Sequence, residues 1–308
     1  MDTRLAPDGA SCTVAQLLYE AKRIGTMKLR PQISKSKEVG LRQTVIRGRG
    51  MEFLESRPYV VGDEMRTIDW RVSARLNKIH TKVFAQERGR TVYFIIDHGS
   101  PMFFGSVNCF KSVLAGRIVM RLAQAALNGN DVIAGVVVDD HHEAKCPQGG
   151  LRSLYRLAGL LALSSEKNIQ NTGQAAMWPH ALRHLAQDIP RGALVFLVSD
   201  FATIADDFRQ SLSKLKKKAD VTALVISDPL EDGWPKLGAI AMADGGGEIF
   251  FNSNDEFLMK QYKKFRAEHI KALEDNFHAL SIPFIRCSTS DDLNETLRPL
   301  LGGGRKSL

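Results

Sequence analysis

The stretch that most constrains the fold of this chain is residues 91–105, TVYFIIDHGSPMFFG. Six residues rich in β-branched and aromatic side chains run into Asp97 and then into a Gly/Ser/Pro turn. A short apolar run bounded by turn residues predicts a buried strand, here one that ends in a carboxylate. In an open α/β sheet, ligands bind beyond the carboxyl ends of the strands at a topological switch point. Asp97 is therefore the first candidate for a functional side chain.

Downstream of this strand, helical and extended periodicities alternate. Helices are expected over 108–128, 151–163, 175–187, 206–218, 255–280 and 291–301, and strands over 132–138, 193–199, 220–227 and 282–287. Residues 143–146 read as a short antiparallel return, and 239–243 with 248–252 as a β-hairpin around Gly245-Gly246-Gly247. Strands and helices at this spacing imply an α/β fold with a mainly parallel, doubly wound sheet covered on both faces. Ahead of it, Val14, Leu17, Leu18 and Ala21 share one helical face, and Thr13 with Gln16 fits a capping box. Residues 28–40 read as loop and 79–86 as a strand. The expected organisation is an N-terminal extension over 1–90 packed on the main domain, that domain over 91–301, and a flexible tail over 302–308.

The formal charge of +8 is unevenly placed. Between positions 22 and 49 stand nine basic residues, Lys22, Arg23, Lys28, Arg30, Lys35, Lys37, Arg42, Arg47 and Arg49, against Glu38 alone. That excess equals the excess of the whole chain, so the charge describes a basic arm and not a basic protein. Such an arm suits nucleic acid, anionic lipid or an acidic partner, and equally a solvated linker. No apolar run approaches the roughly 18 residues of a membrane span, and the N-terminal residues lack the apolar core of a signal peptide. The expected location is the cytoplasm. Cys12, Cys109, Cys146 and Cys287 are scattered with no C-x-x-C pair, which favours free buried thiols over a zinc site or a disulfide framework.

Residues 40–90 are dense in paired charges. Gly62-Asp63 makes a turn, and Asp63, Arg66, Asp69, Arg71 and Arg75 stand close enough around Trp70 to form a web of carboxylate and guanidinium contacts. Interleaved opposite charges favour a structural over a catalytic reading of these acids. The run GRGMEFLESRPYVVGDEMRTIDWRVSAR, residues 48–75, closely resembles the signature of domain-of-unknown-function family fifty-eight, with Arg57, Tyr59, Gly62, Asp63, Arg66, Asp69, Trp70 and Arg75 at its fixed positions. Lys82, Phe84 and Glu87 continue it, and weaker likenesses occur at Gly129-Asn130-Asp131-Val132, Ser199-Asp200-Phe201 and Asp228-Pro229-Leu230-Glu231. The resemblance covers residues 40–301. It implies a von Willebrand factor A-like domain and a non-enzymatic role as adaptor or co-chaperone of a MoxR-type AAA+ ATPase.

Asp97 and Asp200 each end an expected central strand, and a doubly wound sheet brings such ends to one edge, where oxygen ligands suit Mg²⁺. In von Willebrand A-type domains this edge is the metal-ion-dependent adhesion site, built from D-x-S-x-S, a threonine on a second loop and an aspartate on a third. This sequence reads Asp97-His98-Gly99-Ser100-Pro101, with glycine and proline at both serine positions, and Thr172 is the nearest candidate for the threonine. The edge formed by Asp97, Ser100 and Asp200 is accordingly read as a partner-binding surface with a degraded metal site, no cofactor and no catalytic residue. The alternatives are a Mg²⁺-dependent hydrolase using Asp97 and Asp200, and nucleic-acid binding through the basic arm. Asp139-Asp140-His141-His142-Glu143 falls at an expected hairpin tip and reads as solvated. His180 and His184 lack the glutamate of H-E-x-x-H, and neither a Walker A loop nor a G-x-S-x-G elbow is present.

Overall fold

The computed structural model describes residues 9–30, 51–60, 63–86, 89–140, 142–167, 178–202, 207–243 and 248–302, without the side chains of 51–55, 83–86, 167, 178–180, 242–243 and 248–249. The chain runs α1 (Val14–Lys22), β1 (Lys28–Leu29), β2 (Met51–Pro58), α2 (Trp70–Leu76), β3 (His80–Gln86), β4 (Thr91–Asp97), α3 (Lys111–Asn128), β5 (Val132–Val138), β6 (Glu143–Gly149) and α4 (Leu151–Lys167). It continues through α5 (Trp178–Asp188), β7 (Leu194–Ser199), α6 (Phe208–Lys216), β8 (Asp220–Ser227), α7 (Pro229–Asp232), β9 (Ala239–Ala243), β10 (Glu248–Asn252), α8 (Glu256–Ala279), β11 (Phe284–Ser288), α9 (Leu293–Leu297) and β12 (Leu301–Gly302). Close packing divides it into two units, 1–32 with 90–308, and 33–89.

In the larger unit six strands form one sheet in the order β11-β8-β7-β4-β5-β6. All neighbours run parallel except β6, which is antiparallel to β5. Alternation along β4 sorts its side chains: Val92, Phe94 and Ile96 enter one apolar cluster, Tyr93 and Ile95 the other. The first cluster is closed by α1, α3, α4 and α9, the second by α5, α6 and the C-terminal part of α8. Phe94 stacks on Phe196 at 5.6 Å in the first cluster. Fully burying a side chain of this kind contributes about 1.5–3 kcal/mol, so each face holds its helices firmly. This is the mainly parallel, doubly wound sheet expected from the sequence. The chain leaves β4 toward β5 on one side and reaches β7 on the other, which puts the switch point at Asp97.

The first helix forms as its capping box predicts: Thr13 N donates to Gln16 Oε1 at 2.8 Å and Gln16 N donates to Thr13 Oγ1 at 3.3 Å. Leu17 and Ala21 are buried in the first cluster. On the same helix Glu20 accepts from Arg121 Nε at 2.8 Å and Nη2 at 2.6 Å, a buried two-pronged pair. Lys28 and Leu29, read as loop, pair instead with Gly302 and Leu301. The unit boundary thus differs from the expected one, because α1 and β1 fold with the main domain and not with the signature segment. Gly302, assigned to the flexible tail, lies within β12. Residues 31–50 of the basic arm, Gly62, Thr172 and 303–308 lie outside the described residues.

The smaller unit pairs β2 antiparallel to β3, with an irregularity between Phe53 and Glu55. Helix α2 buries none of its residues. Local hydrogen bonds make it: Val72 N donates to Asp69 Oδ1 at 3.2 Å, Ser73 Oγ to Asp69 O at 2.7 Å, and Asn77 ends it at φ 52° in the left-handed region. The expected charge web does not form. Asp63 is taken by Arg57 at 2.7 Å and by Val60 N at 3.0 Å, while the buried Asp69 caps α2 and accepts Ser56 Oγ at 3.0 Å. With both acids committed locally, Arg66, Arg71 and Arg75 are exposed and make no ion pair among the described residues, and Trp70 is 68% exposed.

Candidate functional site

Four strands of the larger unit deliver a carboxylate to one edge of the sheet. Asp97 ends β4, Asp140 lies two residues past β5, and Asp200 and Asp228 directly follow β7 and β8. All four are buried. An ion taken out of water costs several kcal/mol unless it is answered by a counter-charge or hydrogen bonds, so their partners decide what this edge is.

Asp97 accepts from Gly99 N at 2.9 Å and from Ser199 Oγ at 2.5 Å. Burial, with the nearby negative charge of Asp200, pushes its carboxyl up to about 7, against the lowering effect of those two hydrogen bonds. Ser199 Oγ in turn accepts from Phe201 N at 2.9 Å, tying the end of β7 to β4. His98, fully buried, donates its backbone N–H to Val138 O at 2.7 Å, and burial depresses its imidazole to about 4, so it is neutral at physiological pH. Space beside Gly99 is tight. A Cβ would stand 3.0 Å from Asp140 Oδ1 and 3.1 Å from Asp97 Oδ1.

Asp200 meets a cation from its own chain. Lys111 at the start of α3 is 2% exposed, and its Nζ lies 2.6 Å from Asp200 Oδ2 and 2.5 Å from Glu231 Oε1. Burial alone would lower the lysine's pKa, but the two carboxylates more than offset it and hold the ammonium charged. Glu231 also accepts from Arg266 at 2.8 Å, and Asp200 Oδ1 accepts from Ala202 N at 2.9 Å. Asp228 takes four hydrogen bonds: Ser106 N at 2.8 Å, the Ser106 hydroxyl, Thr289 Oγ1 at 2.6 Å and Leu230 N at 2.9 Å. Burial raises the Asp228 pKa, yet these bonds outweigh it and the carboxyl stays below its ordinary range.

Asp97 and Asp200 do come together at the switch point, linked through Ser199 and by the negative charge of Asp200 that acts on Asp97. Ser100 turns away from them, its hydroxyl and backbone N–H both donating to Asp140. That acid, read as part of a solvated tip, is buried; Asp139, accepting His142 N at 2.6 Å, holds the tip itself. His184 pairs with Glu143 at 2.7 Å, far from any role as a zinc ligand, and the side chain of His180 is outside the described set. Sequence reasoning misses Lys111, the lysine that opens a largely apolar helix. The four thiols are buried and free, as expected.

The described residues do not fit the Mg²⁺ site that the resemblance raises. Gly99 and Pro101 carry no side-chain oxygen, Ser100 spends its hydroxyl on Asp140, and an ammonium already sits on Asp200. Among the described residues no group of three or more His, Cys, Asp or Glu is placed to hold a metal.

Known proteins resemble most of the chain. Uncharacterized proteins of Mycobacterium bovis and Mycobacterium tuberculosis are each 22% identical over 250 residues, 80% of this chain and 78% of theirs. The solved structure of the conserved hypothetical protein BatB from Bacteroides thetaiotaomicron aligns over 68% of this chain and 95% of its own, at 16% identity and a TM-score of 0.42. The SpRpn10 VWA domain aligns over 66% and 90%, at 11% identity and a TM-score of 0.36. The family described as "Protein of unknown function DUF58" matches residues 55–272, from the signature segment to the middle of α8, and the chain belongs to it.

Proposed function

We propose that this chain is a non-enzymatic interaction protein, an adaptor or co-chaperone of a MoxR-type AAA+ ATPase in the assembly or maturation of a protein complex. The observation that carries this reading is the edge at Asp97. Each strand-end carboxylate there is engaged by a hydroxyl, an amide or an ammonium of the same chain, which makes a stiff rim and not a reacting group. The hydroxyls of Ser100, Ser106 and Ser199 donate to Asp140, Asp228 and Asp97, which satisfies three carboxylates that are otherwise withdrawn from water. A rim fixed by buried hydrogen bonds presents its exposed residues, Pro101, Val107 and Ala202, in one geometry, which is what recognition requires. The ATPase as partner rests on the resemblance of residues 48–75, and a cytoplasmic location is part of the same reading.

Sedimentation velocity of the purified chain with the MoxR-type ATPase encoded nearest to it tests the proposal. The expected outcome is a complex in at least one of the ADP, ATP-analogue and nucleotide-free states, weakened by Val107→Arg or Ala202→Arg, which leave folding intact. No complex in any state overturns the ATPase assignment. Phosphoester hydrolysis that depends on added Mg²⁺ and vanishes in Asp97→Asn overturns the non-enzymatic one.

A further inference from the structure

In the unit of residues 33–89, helix α2 is built by its caps and buries nothing. At about 100° per residue, Trp70, Ala74, Arg71 and Arg75 fall within one arc of roughly 140°, and all four are exposed. The turn before the helix adds Arg66 and Met65, the latter 73% exposed. Asp63 is committed to Arg57 and Asp69 to the helix cap, and no carboxylate among the described residues forms an ion pair with Arg66, Arg71 or Arg75. An indole 68% in water and three guanidiniums that form no ion pair among the described residues serve no internal packing. Tryptophan, arginine and methionine are the residues enriched where proteins bind proteins.

We propose that the α2 face, formed by Met65, Arg66, Trp70, Arg71 and Arg75, is a docking surface for an acidic segment of a protein partner that carries an apolar side chain beside its carboxylates. The charge fixes the sign of the partner: three guanidinium forks that meet no acid among the described residues pair bidentately with carboxylates. Trp70 and Met65 supply the apolar contact that such an anchor fills. A single-stranded nucleic acid is also anionic, but its binding sites stack successive bases on several aromatics along a groove. This face has one aromatic ring, with Ala74 one turn on and Met65 in the turn before the helix, and the unit also exposes the aliphatic Val60 and Ile79. No residue of the carboxylate edge takes part, so the proposal stands whether or not an ATPase meets that edge.

The test is selection of random peptides displayed on phage against the immobilised 308-residue chain, followed by fluorescence anisotropy of the recovered peptides. Recovered peptides should carry an excess of Asp and Glu around a Leu, Phe or Trp. Their affinity should fall at least about tenfold in Trp70→Ala and in the double variant Arg71→Glu/Arg75→Glu, a loss of about 1.4 kcal/mol, with unfolding curves unchanged. Peptides without an acidic excess, or acidic peptides that bind Trp70→Ala as they bind the native chain, overturn the proposal. So does a thymidine oligonucleotide that competes with the peptides and is lost in the same variants.

Discussion

The sheet edge at Asp97 and the α2 face are both crowded with charge, and they treat it in opposite ways. At the edge every buried carboxylate finds a donor, and Asp200 and Glu231 close on a lysine from their own chain. On α2 the acids turn inward to cap and brace the backbone, and the arginines are left to solvent. Burial explains the difference. A charge withdrawn from water must be matched or it costs several kcal/mol, whereas an exposed guanidinium is solvated at no such cost. The edge therefore spends its chemistry on its own rigidity, and α2 keeps its chemistry available.

Removing the internal cation strains that contrast the most. Lys111→Met removes the cation that Asp200 and Glu231 share, leaving Asp200 with no ion pair among the described residues and Glu231 with Arg266, and the expected loss is about 3–5 kcal/mol. Urea unfolding measures it, and Lys111→Met with Asp200→Asn and Glu231→Gln should recover most of the loss. A drop below about 1 kcal/mol would mean that water reaches the site and the edge is not closed.

The next effect is in pH. Asp97 is raised in the folded protein from 3.8 to about 7, so the folded state holds this proton more tightly than the unfolded chain does. Its contribution is full below pH 3.8 and is lost as pH rises through about 7, at roughly 1.4 kcal/mol per unit at most inside that window. Asp228 is shifted the other way, so its stabilisation fades only at more acidic pH, below 3.8, and does not mask the slope. His98, lowered from 6.5 to about 4, gives the opposite slope between those values, so Asp97→Asn should leave a stability that rises from about pH 4 to 6.5 and loses the decline of the native chain toward about 7. An unchanged slope in that variant assigns the titration to another group.

A smaller effect tests the packing of the turn. Gly99 sits at φ −69°, a conformation any residue adopts, so Gly99→Ala acts only through its Cβ against Asp97 and Asp140. The expected cost is about 1–3 kcal/mol by thermal unfolding, the range for forcing an atom into a filled site. A neutral result would show that the two carboxylates give way freely, against the stiff rim.

The legibility of the fold and the site in the sequence depends on how local each cause is. Strands β4, β5, β7 and β8 and the β9–β10 hairpin announce themselves as apolar runs between turn residues, and Asp255 and Thr13 mark helix starts through bonds only two or three residues long. The approach of Asp97 and Asp200 also follows from strand order alone. Lys111 does not, because its partner Asp200 is 89 residues away and nothing in an apolar helix predicts where a lone lysine will aim. Asp140 reads as solvated because periodicity ends with β5, just short of the site. In 33–89 the density of charge suggests one web, but Asp63 goes to Arg57 and Val60 N, and Asp69 to Val72 N and Ser56, away from Arg66, Arg71 and Arg75. The β1–β12 pair, two residues long, is too short for any pattern to reveal.

The smallest expected effect is the one that most directly separates the two regions. Arg71→Ala and Arg75→Ala remove charges that touch no acid among the described residues, on a helix that buries nothing. Surface substitutions away from caps and cores change stability by no more than about 0.5 kcal/mol. Both variants should therefore unfold with the native chain in urea, at low salt and at high salt alike. A loss above about 1 kcal/mol, especially one that shrinks with added salt, would mean that these guanidiniums are answered within the chain. The α2 face would then be a second closed network like the one around Lys111, and its claim to an outside partner would end.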